Sequence, residues 1–412
     1  MGADLFGGRS FLAALRGLAV TLILGVCASA AEAASLTLAW DPASDPSVVG
    51  YRIDYGNRSG GYTQSVNVGN ATSYQFNNLS RGLPYYFIVR SYNSSGVLSN
   101  PSTEVSRRVG IPRQLSTDFD GDGKADIPVF RPSTGQWFIT YSGSGYNPAL
   151  GSAAYQWGVP GDVPLNADFD GDGKEDLAIF RPSTGEWWVR LSSLNYSATS
   201  YWYVRWGLPG DIPIAADFDG DGVTDLTVFR PSTGEWFARL SSLGFSNINF
   251  WHVQWGLPGD IPIAADFDGD GVTDLTVWRP STGQWFARLS SLGFNVAYPW
   301  QVQWGLPGDI PVAADFDGDG VTDLTVFRPS TGEWFARFSS LGFSGTNFWQ
   351  VQWGLPGDIP VTRDFDGDGR TDLAVYRPSI GGWFIRYSSL SYSASSAAYF
   401  QWGLPGDVVP HP

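Results

Sequence analysis

"DFDGDGVTDLTVFRPSTGEWFARLSSLGF" runs from Asp217 to Phe245, and "DFDGDGVTDLTVWRPSTGQWFARLSSLGF" runs from Asp266 to Phe294 with two positions changed. A third near-copy begins at Asp315. The motif "DFDGDG" begins at Asp118, Asp168, Asp217, Asp266, Asp315 and Asp364, spaced by 50 residues once and by 49 thereafter. A second marker, "WGxPGD", begins at Trp157, Trp206, Trp255, Trp304, Trp353 and Trp402. Six units of one design follow one another without linkers, the mark of a repeat architecture.

Around Asp315 the unit divides into four β-type runs, "IPVAADF", "DLTVFR", "EWFARFSS" and "FWQVQWG". Turn chemistry separates them: the aspartate loop, "PSTG", a variable Gly- and Ser-bearing segment, and "LPGD". Leu324, Val326 and Arg328 alternate with Thr325 and Phe327, as a half-buried strand requires. Four antiparallel strands repeated six times predict an all-β chain, with a β-propeller of six four-stranded repeats over residues 110–412. A lone four-stranded sheet has two open edges and little core, so it must stack on its neighbours. Trp137, Trp187, Trp236, Trp285, Trp334 and Trp383 are expected to fill the spaces between blades. In an up-and-down blade the aspartate loop shares a face with the variable segment, and "RPSTG" lies with "LPGD" at the opposite end. Arg131, Arg181, Arg230, Arg279, Arg328 and Arg377 are expected to pair with the "PGD" aspartates, Asp162 to Asp407, of neighbouring blades.

In "DFDGDGVTD" the carboxylates occupy positions 1, 3, 5 and 9, with Gly at position 6 where the chain turns sharply. Oxygen donors in a tight loop suit a hard cation with irregular coordination, and calcium is the expected one, about six ions in all. An EF-hand needs a bidentate Glu at position 12, whereas that position holds Val129, Ile179, Val228, Val277, Val326 or Val375. The loops carry 24 aspartates at these positions, out of 40 acidic residues in the chain, and six divalent ions would bring the net charge from -15 to -3. Without cations the crowded carboxylates raise one another's pKa.

The loops resemble the calcium-binding loops of FG-GAP/VCBS-type repeats, the blades of integrin-α-like propellers. The resemblance implies metal ligation by Asp118, Asp120, Asp122 and Asp126 in the first unit and by Asp168, Asp170, Asp172 and Asp176 in the second. In the third and fourth units it implies Asp217, Asp219, Asp221, Asp225, Asp266, Asp268, Asp270 and Asp274. The last two units contribute Asp315, Asp317, Asp319, Asp323, Asp364, Asp366, Asp368 and Asp372. Integrin-type propellers have seven blades, only some carrying metal loops; this chain has six units, all with complete loops. Residues 35–109 resemble a fibronectin type III module, with Trp40 as its core tryptophan and Tyr85, six residues after Leu79, at the tyrosine corner.

Residues 1–34 read as an export signal: Arg9 and Arg16 stand at the start of the run "LAVTLILGVCASA", which ends in "AEAAS", with cleavage expected near Ala33. Removing it removes the one Cys and the one Met, leaving no disulfides and no integral membrane segment in a secreted or surface-attached protein. The acidic balance argues against nucleic acid as a partner. With two histidines, His252 and His411, no nucleophile–base set can be assembled, so no catalytic residues are expected. The sequence thus points to adhesion or recognition of an extracellular protein or glycan. A multivalent lectin, with Trp251, Trp300 and Trp349 stacking on sugars, is one alternative, and a secreted hydrolase or lyase another.

Overall fold

The computed structural model describes residues 20–23, 34–40, 42–43, 45–58, 60–79, 84–108 and 117–410. The chain divides into two compact units, one ending at Gly110 and the other beginning at Ile111. There is no α-helix among the described residues.

The first unit is a two-sheet sandwich. Val20–Ile23, Ala34–Trp40 and Ser73–Leu79 form one sheet in that order, and Gln64–Gly69, Val48–Gly56, Pro84–Asn93 and Val105–Arg108 form the other. Trp40 and Tyr51 meet edge-on at 5.6 Å in a core shared with Leu38, Ile53, Phe76, Leu79, Tyr85 and Phe87. Val20–Ile23 falls within the run read as an export signal, yet here it pairs with Thr37–Trp40 as an edge strand. A short apolar β-prone segment satisfies an open edge; most of the remaining signal run lies outside the described residues.

The second unit contains six antiparallel sheets in strict up-and-down order. The third sheet is typical: Ile212–Ala216, Asp225–Arg230, Glu235–Arg239 and Trp251–Gln254, each paired with the next. The first sheet has only three strands of its own, Ile127–Arg131, Gln136–Thr140 and Ser152–Gln156. Its innermost strand is assembled from two distant pieces. At one end Phe130 and Val408 exchange N–H···O bonds of 2.8 Å, and at the other Asp126 N–H donates to Thr117 O at 2.9 Å. These contacts match Val163↔Phe180 and Ala167↔Asp176 in the second sheet, so the C-terminal residues close a ring of six blades.

Blade-to-blade packing repeats around that ring. Leu165, Phe169, Phe180, Trp187 and Val189 of the second blade meet Leu226 and Val228 of the third. Ile127, Val129 and Tyr146 of the first meet Val361, Tyr376, Trp383 and Ile385 of the sixth, so the closure seam is as apolar as the others. The six expected tryptophans are fully buried, and each indole N–H reaches the carbonyl of its blade's "WG" tryptophan, as in Trp236 to Trp255 O at 2.7 Å.

The arginines do pair with the "PGD" aspartates, but within a sheet rather than between blades. Arg230, at the end of its second strand, makes a two-pronged contact of 2.9 Å with Asp211, which precedes the first strand of the same sheet. Its guanidinium also lies 4.3 Å over the Phe237 ring. The exception is Arg131, whose partner Asp407 comes from the C-terminal tail, so there the pair is part of the closure. Ties between blades come from a second series: Arg239 lies 4.4 Å over Trp206 of the preceding blade, and Arg190, Arg288, Arg337 and Arg386 repeat the contact.

Asp211 is almost fully buried, so Arg230→Ala strands a carboxylate without its cation and should cost about 3 kcal/mol. Chemical denaturation reads this directly. Unchanged stability would mean that Arg230 acts only as a lid on Phe237.

Candidate metal centre

Each aspartate loop joins the innermost strand of its sheet to the second. In the third blade Asp217 Oδ1 accepts Gly220 N–H at 2.7 Å and its Oδ2 accepts Gly222 N–H at 3.0 Å, which folds the loop around the first carboxylate. Asp221 Oδ1 accepts Val223 N–H at 2.8 Å. Asp225 opens the second strand with both oxygens engaged. Its Oδ2 accepts Phe218 N–H at 2.8 Å, and its Oδ1 accepts Ser241 N–H at 2.7 Å from the third connection.

That last contact brings in residues the sequence reading assigned to a strand. The third strand stops at Arg239, and Ser241–Leu243 forms a 3-10 turn over the loop. Ser241 Oγ donates to Asp221 at 2.8 Å and Ser242 Oγ to Asp219 at 2.5 Å. The recurring "SS" pair was the available signal, and only the structure shows that it orients the carboxylates at positions 3 and 5. In the first blade Gly143 stands in place of the second serine, 2.9 Å from Asp120 Oδ2 at the point where a Cβ would sit.

The structure gathers positions 1, 3 and 9 as triads in four loops: Asp168, Asp170 and Asp176; Asp217, Asp219 and Asp225; Asp266, Asp268 and Asp274; Asp315, Asp317 and Asp323. In the first loop the triad is Asp118, Asp120 and Asp122. Within each triad the donor oxygens lie within 4.8 Å of one another, a separation one cation can bridge. In the sixth loop Asp364 and Asp366 act electrostatically on Asp372, and the position-1 and position-9 carboxylates are held by the same N–H bonds. Position 5 accepts a serine hydroxyl in the first loop, Ser142 to Asp122, as in the third, Ser241 to Asp221, both at 2.8 Å.

Burial and mutual repulsion leave these groups short of positive charge. Burial, reinforced by Asp219 and Asp217, pushes Asp225 up to about 8. Asp274 and Asp372 are likewise pushed up to about 8, with burial the main cause, and Asp176, Asp315 and Asp323 lie well above the carboxylate range. Asp126 reaches about 8, Asp364 about 7 and Asp118 about 6, again chiefly through burial. An all-oxygen set of buried acids that holds protons near neutral pH fits a hard divalent cation.

Elsewhere on this unit, Trp251, Trp300 and Trp349 are half-buried and pack against Phe218, Phe267 and Phe316, so they are not the open sugar platforms expected of a lectin. The open aromatics are Tyr201, Phe250, Tyr298 and Phe348 in the variable segments, with Tyr203 and Tyr399 on outer strands. His252 stacks on Phe237 at 4.6 Å and meets Glu235 at 3.0 Å. His411 lies outside the described residues.

Residues 23–108 match the family described as the fibronectin type III domain, and residues 168–228 match the FG-GAP-like repeat. A Kelch domain-containing protein of Saccharolobus solfataricus is 46% identical over 72 residues, which cover 18% of this chain and 9% of that protein. A lectin of Agrocybe aegerita, described for recognition of non-reducing terminal N-acetylglucosamine, is similar over 77% of this chain and 93% of its own, with 13% identity and TM-score 0.42. A human collagen XX fibronectin type III domain is similar over 21% of this chain and 86% of its own, with 24% identity and TM-score 0.17. No described helix is long and apolar enough to cross a membrane.

Raised carboxyl pKa values set the pH dependence of the metal-free form. The folded state keeps protons that the unfolded chain has lost above about pH 4, so its stability falls as pH rises toward about 8. With chelator present, the melting temperature should therefore be lower at pH 8.5 than at pH 5.5. Saturating calcium should remove or reverse the difference, because cations then replace the protons.

Proposed function

We propose that this chain is an exported calcium-binding repeat protein whose ions staple a six-bladed recognition surface, acting in adhesion or recognition outside the cell. The observation that carries the reading is the recurrence of buried, mutually repelling aspartate triads around a closed ring. Extracellular calcium sites bind at about 10⁻⁴ to 10⁻³ M. An ion present at ten times its dissociation constant stabilises the fold by about 1.4 kcal/mol, so six would contribute about 8 kcal/mol, comparable with the stability of a whole domain. In a mature chain without cysteine, that contribution stands where disulfides would otherwise be.

The role is binding rather than catalysis. His252 is engaged by Phe237 and Glu235, and the loop carboxylates are committed to the cation and to backbone N–H groups. Export fits the N-terminal apolar run. Cleavage near Ala33 would expose the edge of Ala34–Trp40 by removing Val20–Ile23, and N-terminal sequencing of the secreted protein decides where the mature chain begins.

A glycan is the second reading of the partner. Tyr201 is about half exposed and stands 5.4 Å from Trp157 and 5.6 Å from Trp188, with Tyr203 4.6 Å from Trp188. Four rings at one blade junction form a platform that a sugar ring could stack on. Binding on a glycan array that is lost in Tyr201→Ala favours this reading; an array without signal favours a protein partner.

The stapling itself is tested by thermal melts with and without a calcium chelator at pH 7.5. The expected outcome is a large fall in melting temperature on chelation, restored by calcium. An unchanged melt would remove calcium as the staple.

A further inference from the structure

We propose that the six loops take up cations as one coupled ring rather than as six independent sites, an inference that rests on their being cation sites. Thr273, at position 8 of the fourth loop, donates its N–H to Asp217 O of the third loop at 2.8 Å. Its hydroxyl accepts Asp217 N–H in return at 3.1 Å. The first ligand of one loop is thus held at both its N–H and its C=O by the residue just before the last ligand, Asp274, of the next. The N–H bond to the preceding loop recurs at all six junctions, the last running from Ala125 to Asp364 at 2.8 Å. The hydroxyl bond recurs wherever position 8 is Thr.

Position 8 is not Thr at the two junctions of the first loop, and there a phenol makes the side-chain bridge. At the fifth-to-sixth junction a phenol, Tyr392 OH, lies 2.8 Å from Phe316 O and 3.0 Å from Thr371 O beside the Thr371 hydroxyl bond. Tyr196 OH lies 3.0 Å from Glu175 O of the second loop and 3.1 Å from Phe119 O of the first. Tyr146 OH does the same between Ala125 O and Phe365 O, at 2.8 and 2.9 Å. Two different side chains therefore make a polar bridge at the same seam.

Steric contact runs in the same direction. Gly220 has φ 74°, and a Cβ there would sit 2.7 Å from Val272 Cγ2 of the next loop, so position 7 of one loop lies on position 4 of the one before. Lys124 of the first loop lies on Gly367 of the sixth, which completes the circle.

A cation that orders one loop fixes the carbonyl and N–H on which the next loop's ligand-bearing segment hangs. The following ion then meets a site whose ordering cost is already partly met, which is positive coupling. Four aspartates against one divalent ion leave a filled loop negative, so neighbouring ions are not set against each other.

The test is a calcium titration of the chelated full-length chain by calorimetry and tryptophan fluorescence, at a temperature where its far-UV circular dichroism is unchanged by chelation. The wild type is expected to bind about six ions with a Hill coefficient of about 2 or more. Thr273→Val should keep the number of ions and lower the coefficient, while Thr273→Ser keeps both. Tyr146→Phe with Tyr196→Phe, which installs a residue other blades carry at that position, should detach one ion as a separate, weaker phase. A wild-type coefficient of 1, or variants with isotherms as steep as the wild type, overturns the coupling alone. Absence of saturable binding overturns the cation reading, and the coupling with it.

Discussion

A carboxylate withdrawn from water at the foot of each second strand is the constraint on which the propeller depends. Asp225 is fully buried, and its two oxygens accept N–H groups from opposite directions, one from the loop before it and one from the 3-10 turn after the third strand. It fastens the first connection of the blade to the third. An isolated buried charge costs several kcal/mol, two hydrogen bonds offset only part of that, and the adjacent aspartates add repulsion. The group must therefore take a proton or a cation. The architecture that holds the connections together is the same one that gathers the candidate cation ligands.

Around that constraint the blade is a unit that cannot stand alone. Its faces carry Leu, Val, Trp and Phe that complete their packing against the next blade, as nearest-neighbour stacking in a repeat protein requires. A linear array would leave two unsatisfied ends. Here the ends meet: Val408 supplies one part of the missing strand of the first blade and Thr117 the other, and Asp407 arrives with it to receive Arg131. The closure therefore uses the same strand register and the same ion pair that every other blade uses internally.

Most of this was legible because the signals are local and repeated. The 49-residue period, the alternation in "DLTVFR" and the spacing of four aspartates fixed strand order, loop placement and the candidate ligands within a single unit. What escaped depends on contacts between units or on short departures from strand geometry. "EWFARFSS" read as one strand, because nothing in two serines says that the chain turns at Ser241 to place hydroxyls on Asp219 and Asp221. The arginines were expected to join blades, yet the "PGD" aspartate belongs to the sheet it enters and not to the one it leaves. The six repeats were counted from the sequence, but how the ring closes could not be read from the last residues, since a strand built from one tail residue and a distant Thr117 has no local pattern. Trp251 is covered by Phe294 of the next blade as well as by Phe218 of its own, contacts that a four-residue strand does not announce.

Near-identical repeats raise a problem that local signals cannot solve: a seam between the second and third blades resembles one between the third and fourth. Register errors of a whole repeat are therefore disfavoured by apolar packing only weakly. The departures from the repeat that could break this symmetry are buried near the closure. Arg363 occupies the strand end where other blades have Ala167, Ala216, Ala265 and Ala314. It is buried, its Nε donates to Thr117 Oγ1, and its Nη1 donates to Thr362 O at 2.7 Å. Burial pulls its pKa down to about 10, and Glu175 opposes that shift. Glu175 in turn replaces the Thr found at position 8 in four later loops, while Asn166 reaches Pro410 O at 3.3 Å. A buried guanidinium is strongly destabilising away from its partners, so a sixth blade docked on any blade but the first would bury Arg363 without Thr117 and Glu175. Charge burial, poor as a source of net stability, here discriminates between seams that apolar packing leaves nearly equivalent.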